Sequence, residues 1–209
     1  DLSRENYTRL LWAFEGFTSY YDDLLLVRSG RIAEADYLTL LGKTISQVHK
    51  GSGRTRQSVA QSSFEAWTKY YRQDENSPNA IVSYYTKGAL VALLLDLRLR
   101  ADSHGARSLD DLMRALWLRH GRTGVGVAED GIFALAAEIG GAAVGGWLRE
   151  LVEGTGELPL AAWLKRVGVG LQWEAASAAP AIGVRTVAEG DQLKLANVYD
   201  GGPAQTAGL

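Results

Sequence analysis

Apolar residues recur at helical spacing through the first four fifths of the chain. Tyr7, Leu10, Leu11, Phe14, Phe17, Thr18, Tyr21, Leu24 and Leu25 define a first amphipathic helix. Tyr37, Leu38, Leu41, Ile45 and Val48 define a second, from about Glu34 to His49. The glycine-rich basic stretch Lys50–Gln57 predicts a loop. Ser62-Ser63-Phe64-Glu65 has capping-box spacing and predicts a short helix through Trp67 and Tyr70. The turn cluster Asn76-Ser77-Pro78-Asn79 leads into a predicted long helix from Ile81 to Arg100. Ser108–Asp111 opens another, with Leu109, Leu112, Met113, Leu116 and Trp117 on one stripe. Shorter helices are predicted at about 128–139, 143–152 and 160–166.

The periodicity changes after Gly168. Residues 169–174, 181–188 and 192–199 are β-rich, and Glu189-Gly190-Asp191 has the composition of a hairpin turn. Asp200-Gly201-Gly202-Pro203-Ala204 then turns the chain into a helix starting near Ala204. The expected fold class is mainly α, with a helical lobe over residues 1–168 and a β segment over 169–209; the boundary falls at about Gly168–Ala179. The chain opens at Asp1 without a methionine and stops at Leu209 inside what reads as a folding unit, so it is read as a fragment.

Charge and composition narrow the function. The 22 basic and 24 acidic residues leave a net charge of −2, which offers no electrostatic footprint for nucleic acid. Cysteine is absent, which excludes disulfides, thiolate metal sites and cysteine nucleophiles within these residues. The longest apolar run, Gly88–Leu99, is interrupted by Asp96 and Arg98 and falls short of the ~20 residues that a membrane span requires. It predicts a buried helix. These values describe a soluble globular chain, cytoplasmic or periplasmic, with the compartment left open.

The chemistry concentrates in two strings. The first is Leu11-Trp12-Ala13-Phe14-Glu15-Gly16-Phe17-Thr18-Ser19-Tyr20-Tyr21. It places a carboxylate, Glu15, among aromatic flanks, where burial without a partner is costly. From spacing alone Glu15 reads equally well as a metal ligand or as an ordinary helical glutamate, and Trp12 and Phe17 are expected on the open surface around it. The second string is Ser83-Tyr84-Tyr85-Thr86-Lys87-Gly88. By position its tyrosines read as core aromatics on a buried helix or as neutral phenolic donors, whose pKa near 10 keeps them protonated at neutral pH.

The first string resembles the third-ligand helix of the gluzincin zinc peptidases. The second resembles the Y-x-K-G string of related aminopeptidases. Ser63-Phe64-Glu65-Ala66-Trp67, Asn76-Ser77-Pro78-Asn79, residues 108–114 and 154–160 occur in order, and the set is similar to the glycyl-aminopeptidase family of bacterial metallopeptidases. There a thermolysin-like catalytic domain precedes a PDZ domain. The resemblance implies that Glu15 is a Zn2+ ligand and that Tyr85 donates to the oxyanion, with Tyr84 as the alternative if the helix phase is shifted by one. It implies hydrolysis of peptides at free N-termini, with glycine or alanine preferred.

A catalytic zinc takes three protein ligands and a water, and in this class two histidines come from an H-E-x-x-H helix. His49, His104 and His120 are the histidines present, and none is followed by Glu-x-x-His. All three read as solvent-side residues. The zinc histidines and general base are therefore expected before Asp1, and the chain by itself is expected to bind no zinc and to be inactive. Residues 182–185 and 198–209 resemble the opening of a PDZ domain, which binds peptides by adding a strand to a sheet edge. The alternative is a non-catalytic helical and PDZ-like module that binds peptides.

Overall fold

The computed structural model describes residues 3–175 and 181–209. Helices dominate: α1 Leu11–Arg28, α2 Glu34–Lys50, α3 Val59–Phe64, α4 Ser77–Ala80, α5 Thr86–Asp102, α6 Leu109–Leu116, α7 Gly131–Gly140, α8 Ala142–Glu153 and α9 Leu160–Arg166. One antiparallel hairpin comes next, β1 Val184–Glu189 with β2 Gln192–Val198, and then the short α10 Pro203–Thr206. Gly190, at φ +62°, makes the hairpin turn where a side chain would be strained. The expected mainly-α class with a small β segment is what forms. None of the helices among the described residues is long and apolar enough to cross a membrane.

Helix α5 is the axis. Leu90, Val91, Leu94, Leu95 and Leu99 are all buried, and the apolar character runs round the whole helix because neighbours pack on every side. Each such leucine contributes about 2 kcal/mol of burial. Asp96 lies in this same core at 4% exposure. It accepts hydrogen bonds from Tyr20 Oη at 2.8 Å, Arg100 Nε at 2.9 Å and the backbone N–H of Leu109 at 2.7 Å. One carboxylate thereby ties α1 to α5 and caps the start of α6. Tyr21 Oη and Arg28 repeat the scheme on Asp110, at 2.6 and 3.0 Å.

Several elements begin elsewhere than their patterns predict. Ser58, not Ser62, caps α3 by accepting from the N–H of Gln61 at 3.0 Å, so Ser62 and Ser63 lie inside the helix. A π-turn over Ala66–Tyr70 succeeds it. The long helix starts at Thr86, five residues later than expected, because side chains take both backbone polar groups of Val82. Its N–H donates to Gln57 Oε1 at 3.0 Å, and Ser62 Oγ donates to its carbonyl. A residue held that way cannot join a helical ladder. The Lys50–Gln57 loop contains a 3₁₀ turn at Ser52–Thr55.

Residues 169–174 form no strand. They pair with neither strand of the hairpin, and Trp173 packs its ring against His49, with centroids 4.3 Å apart. The last part of the expected boundary, 176–179, lies outside the described residues. The hairpin and the turn after it are bound firmly to the helices. Asn79, 4% exposed, donates to the Val198 carbonyl at 2.8 Å and accepts from the N–H of Asp200 at 3.0 Å. Asn197 donates to the Glu75 carbonyl at 2.9 Å, and Asp200 takes Ser52 Oγ and Arg56 at 2.6 Å each.

Candidate functional site

Helices α1 and α5 cross with almost no space between their backbones. A Cβ on Gly16 would lie 2.6 Å from the carbonyl carbon of Gly88, and one on Gly88 would lie 2.8 Å from the Trp12 carbonyl oxygen. These two glycines are the ones in the two chemistry-bearing strings, and their purpose is this contact. Glu15 precedes the first, and Tyr85, as N-cap of α5, stands three residues before the second. The crossing therefore sets Glu15 beside Tyr85 closely enough for its negative charge to bear on the phenol. Tyr85 is pushed up to about 12, chiefly by its hydrogen bond to Tyr71, then by burial, with the Glu15 charge adding.

The surroundings of this pair are aromatic. Tyr84 Oη donates to Tyr71 Oη at 3.0 Å, and Tyr71 Oη lies 3.4 Å from Tyr85 Oη. Tyr70 sits against both Tyr84 and Tyr85, its ring centroid 4.7 and 6.0 Å from theirs, and its hydroxyl meets Ser83 Oγ at 3.1 Å. Tyr84 is buried at 1% exposure, whereas Tyr85 is half-buried on the open side. Burial and the two hydroxyl contacts raise Tyr84 far above the phenol range.

Trp12 and Phe17 depart from the sequence expectation. Both are buried in this chain's own core, Trp12 stacked on Phe133 and edge-on to Phe17. The aromatics left exposed here are Phe14, Phe64, Trp67 and Tyr71. The backbone N–H of Trp12 donates to Ser63 Oγ at 2.9 Å, which fastens the start of α1 to α3. Glu65 accepts from Gln57, Gln61 and Lys69. Burial alone would raise its pKa, but those bonds hold it below the usual carboxylate range.

Lys87 is buried beneath the tyrosines at 2% exposure, with its ammonium donating to the Arg54 carbonyl at 2.7 Å. It pins the start of α5 to the 3₁₀ turn. Burial lowers its pKa to about 8, with Glu157 raising it and Arg54 lowering it to a lesser extent. The folded chain thus releases this proton above pH 8, whereas the unfolded chain holds it to its ordinary 10.5. The unfolded state binds more protons in that window, so stability rises with pH from 8 to 10.5. Urea unfolding at pH 7 and pH 9 is expected to show a gain of about 1 kcal/mol in the parent chain. Lys87→Met should lack the gain; an equal gain in that variant would assign it to another group.

Among the described residues, no group of three or more His, Cys, Asp or Glu is arranged to hold a metal ion, so Glu15 offers a single carboxylate. His49 and His104 are exposed, and His104 occupies a turn at φ +52°. His120 is half-buried rather than solvent-side, with Nδ1 3.1 Å from the Val125 carbonyl oxygen. Tyr71 was not legible as a member of the cluster from sequence; its signal lay in the paired doublets Tyr70-Tyr71 and Tyr84-Tyr85.

Comparison with known proteins agrees with these strings. No curated protein matches the chain. An aminopeptidase N family protein from Idiomarina loihiensis, of known structure, superposes with a TM-score of 0.92 at 42% identity. The match covers 100% of this chain and 38% of that protein's chain. Residues 1–91 match the family model of the M61 glycyl aminopeptidases. That segment, which carries both Glu15 and Tyr85, is similar to the M61 glycyl aminopeptidases, and the chain spans about two fifths of the length of the protein it superposes on.

Proposed function

We propose that this chain is the helical part of a zinc-dependent aminopeptidase, in which Glu15 supplies one zinc ligand and Tyr85 donates its O–H to the oxyanion of the tetrahedral intermediate. Zinc would polarise the scissile carbonyl and activate water. The two histidine ligands and the general base would come from sequence before Asp1. Substrates would be peptides with a free N-terminus and a small first residue, glycine or alanine. The hairpin and α10 would open a PDZ-like unit able to take a peptide strand.

The observation that supports this reading is the Gly16–Gly88 contact, which brings the helix of Glu15 against the start of α5 closely enough for the Glu15 charge to act on the Tyr85 phenol. A phenol is suited to the task because it stays protonated at neutral pH and holds its proton until an oxyanion forms. Tyr84 is less suited, because its hydroxyl is already given to Tyr71. Glu15, on α1, is half-buried, which leaves part of its side chain open to a ligand.

Metal analysis after chelation, with glycyl and alanyl chromogenic substrates, tests the reading. The 209-residue chain should hold no stoichiometric zinc and show no turnover, and joining the upstream sequence should restore both. In that longer protein Glu15→Ala should lose zinc and activity. Tyr85→Phe should keep zinc and KM while kcat falls roughly 10²–10³-fold. Stoichiometric zinc in Glu15→Ala, or an unchanged kcat in Tyr85→Phe, would sink the assignment concerned.

A further inference from the structure

The β segment is tied to the helices at the two places that hold Tyr85. Asn79, in the turn before Tyr85, is bonded to the Val198 carbonyl and to the Asp200 N–H. The second place is the 3₁₀ turn Ser52–Thr55, whose Arg54 carbonyl receives the Lys87 ammonium at 2.7 Å, just after Tyr85 in α5. This turn also meets the segment before Tyr85 backbone to backbone. A Cβ on Gly51 would collide with the Pro78 carbonyl oxygen, and one on Gly53 with that of Ile81. From the hairpin side the turn is held by Asp200, whose Oδ2 accepts from Ser52 Oγ and from Arg56 at 2.6 Å each. We infer that Asp200 is a positioning residue for Tyr85: by holding the 3₁₀ turn it fixes the anchor of Lys87, and with it the start of α5.

The strengths of the contacts favour Asp200 as the holder. Its bonds to Ser52 and Arg56 are short and charge-assisted, on a carboxylate 19% exposed. The other ion pair on this turn, Arg54 with Glu157, uses a carboxylate 53% exposed, where such a pair contributes little. Asp200 is itself held in place. Its N–H donates to Asn79 Oδ1 at 3.0 Å, and its Oδ1 accepts from Gln205 Nε2 at 2.7 Å. Tyr85 is half-buried, so its placement depends on the backbone anchors on either side of it. A group that stabilises an oxyanion has to be held within about 0.5 Å of its working position, which gives those anchors a catalytic consequence.

The role assigned to Tyr85 rests on the function proposed above, and the test separates the two. The first readout is the NMR titration of Lys87 in the 13C-lysine-labelled 209-residue chain, assigned by its loss in Lys87→Met. The parent midpoint lies at about 8, lowered chiefly by burial. Asp200→Ala and Ser52→Ala break the same contact from opposite sides. Each should raise the midpoint by about one pH unit, as water reaches the ammonium. Loss of the Asp200 charge by itself would lower the midpoint, so the sign is specific. Gln205→Ala removes a bond to Asp200 that stays within the hairpin side and should leave the midpoint in place. A midpoint unmoved or lowered in both Asp200→Ala and Ser52→Ala overturns the inference. The second readout is kinetic, in the longer protein. Asp200→Ala should lower kcat about tenfold with KM and zinc content unchanged. An unchanged kcat there, with Tyr85→Phe impaired, overturns the positioning role. A raised midpoint with kcat unchanged in both Asp200→Ala and Tyr85→Phe would keep the tie from the hairpin to Lys87 and remove its catalytic use, which is the failure of the proposed function instead.

Discussion

Gly16→Ala is expected to unfold at a markedly lower urea concentration than the parent chain, with a loss of about 2–3 kcal/mol. The added methyl would meet the Gly88 carbonyl carbon at 2.6 Å, its Cα at 2.7 Å and its oxygen at 2.9 Å. All three are backbone atoms, so no side chain can rotate away, and α1 must move off α5. Alanine is otherwise the better helix former by up to about 1 kcal/mol, which makes the sign of the result informative. Gly146→Ala in α8 supplies the contrast, because nothing lies within 4 Å of a Cβ there. That variant should be stabilised by about 0.5–1 kcal/mol. If Gly16→Ala behaved like Gly146→Ala, the close crossing would be wrong, and with it the approach of Glu15 to Tyr85.

The second large effect is expected at Asp96. Asp96→Ala removes an acceptor that serves Tyr20, Arg100 and the Leu109 N–H, all converging on a carboxylate only 4% exposed. Two of those donors lie in the core and would be left without a partner. Breaking a buried ionic network of this kind costs about 3–5 kcal/mol. Asp96→Asn, which retains one acceptor oxygen, should lose less. Tyr20 gives a specific readout, since burial and then the Asp96 charge raise its pKa far above the phenol range. In Asp96→Ala its ionisation should move down. A loss under about 1 kcal/mol with no change at Tyr20 would mean that the network is not what joins α1, α5 and α6.

These two sites show why the candidate centre is precise although most of it lies near the surface. Gly16 and Gly88 fix the separation of the helices, and Asp96 fixes their relation farther along. Lys87 and the side-chain bonds to Val82 then hold the segment that presents Tyr84 and Tyr85. The hairpin adds a further tie through Asn79, in the turn just before that segment.

Much of this could be read from the sequence. The 3.6-residue apolar period marked α1, α2 and α5 as helices, because burial of one face or of the whole circumference leaves a direct trace in residue order. Resemblance to family strings marked Glu15 and Tyr85, whereas the residues alone left each open to a structural role. The hairpin turn at Glu189-Gly190-Asp191 was legible from its local composition. What the tertiary structure alone decided concerns side chains that bond to distant backbone. Whether Val82 is helical depends on Gln57 and Ser62; the exposure of Trp12 depends on Phe133; and the pairing of Tyr71 with Tyr84 and Tyr85 depends on a π-turn placed after α3. Residues 169–174 have strand composition but pair with neither strand of the hairpin, and Trp173 packs against α2 through His49 instead. Local pattern records which face is apolar, whereas the satisfaction of each polar group is settled only when distant segments meet.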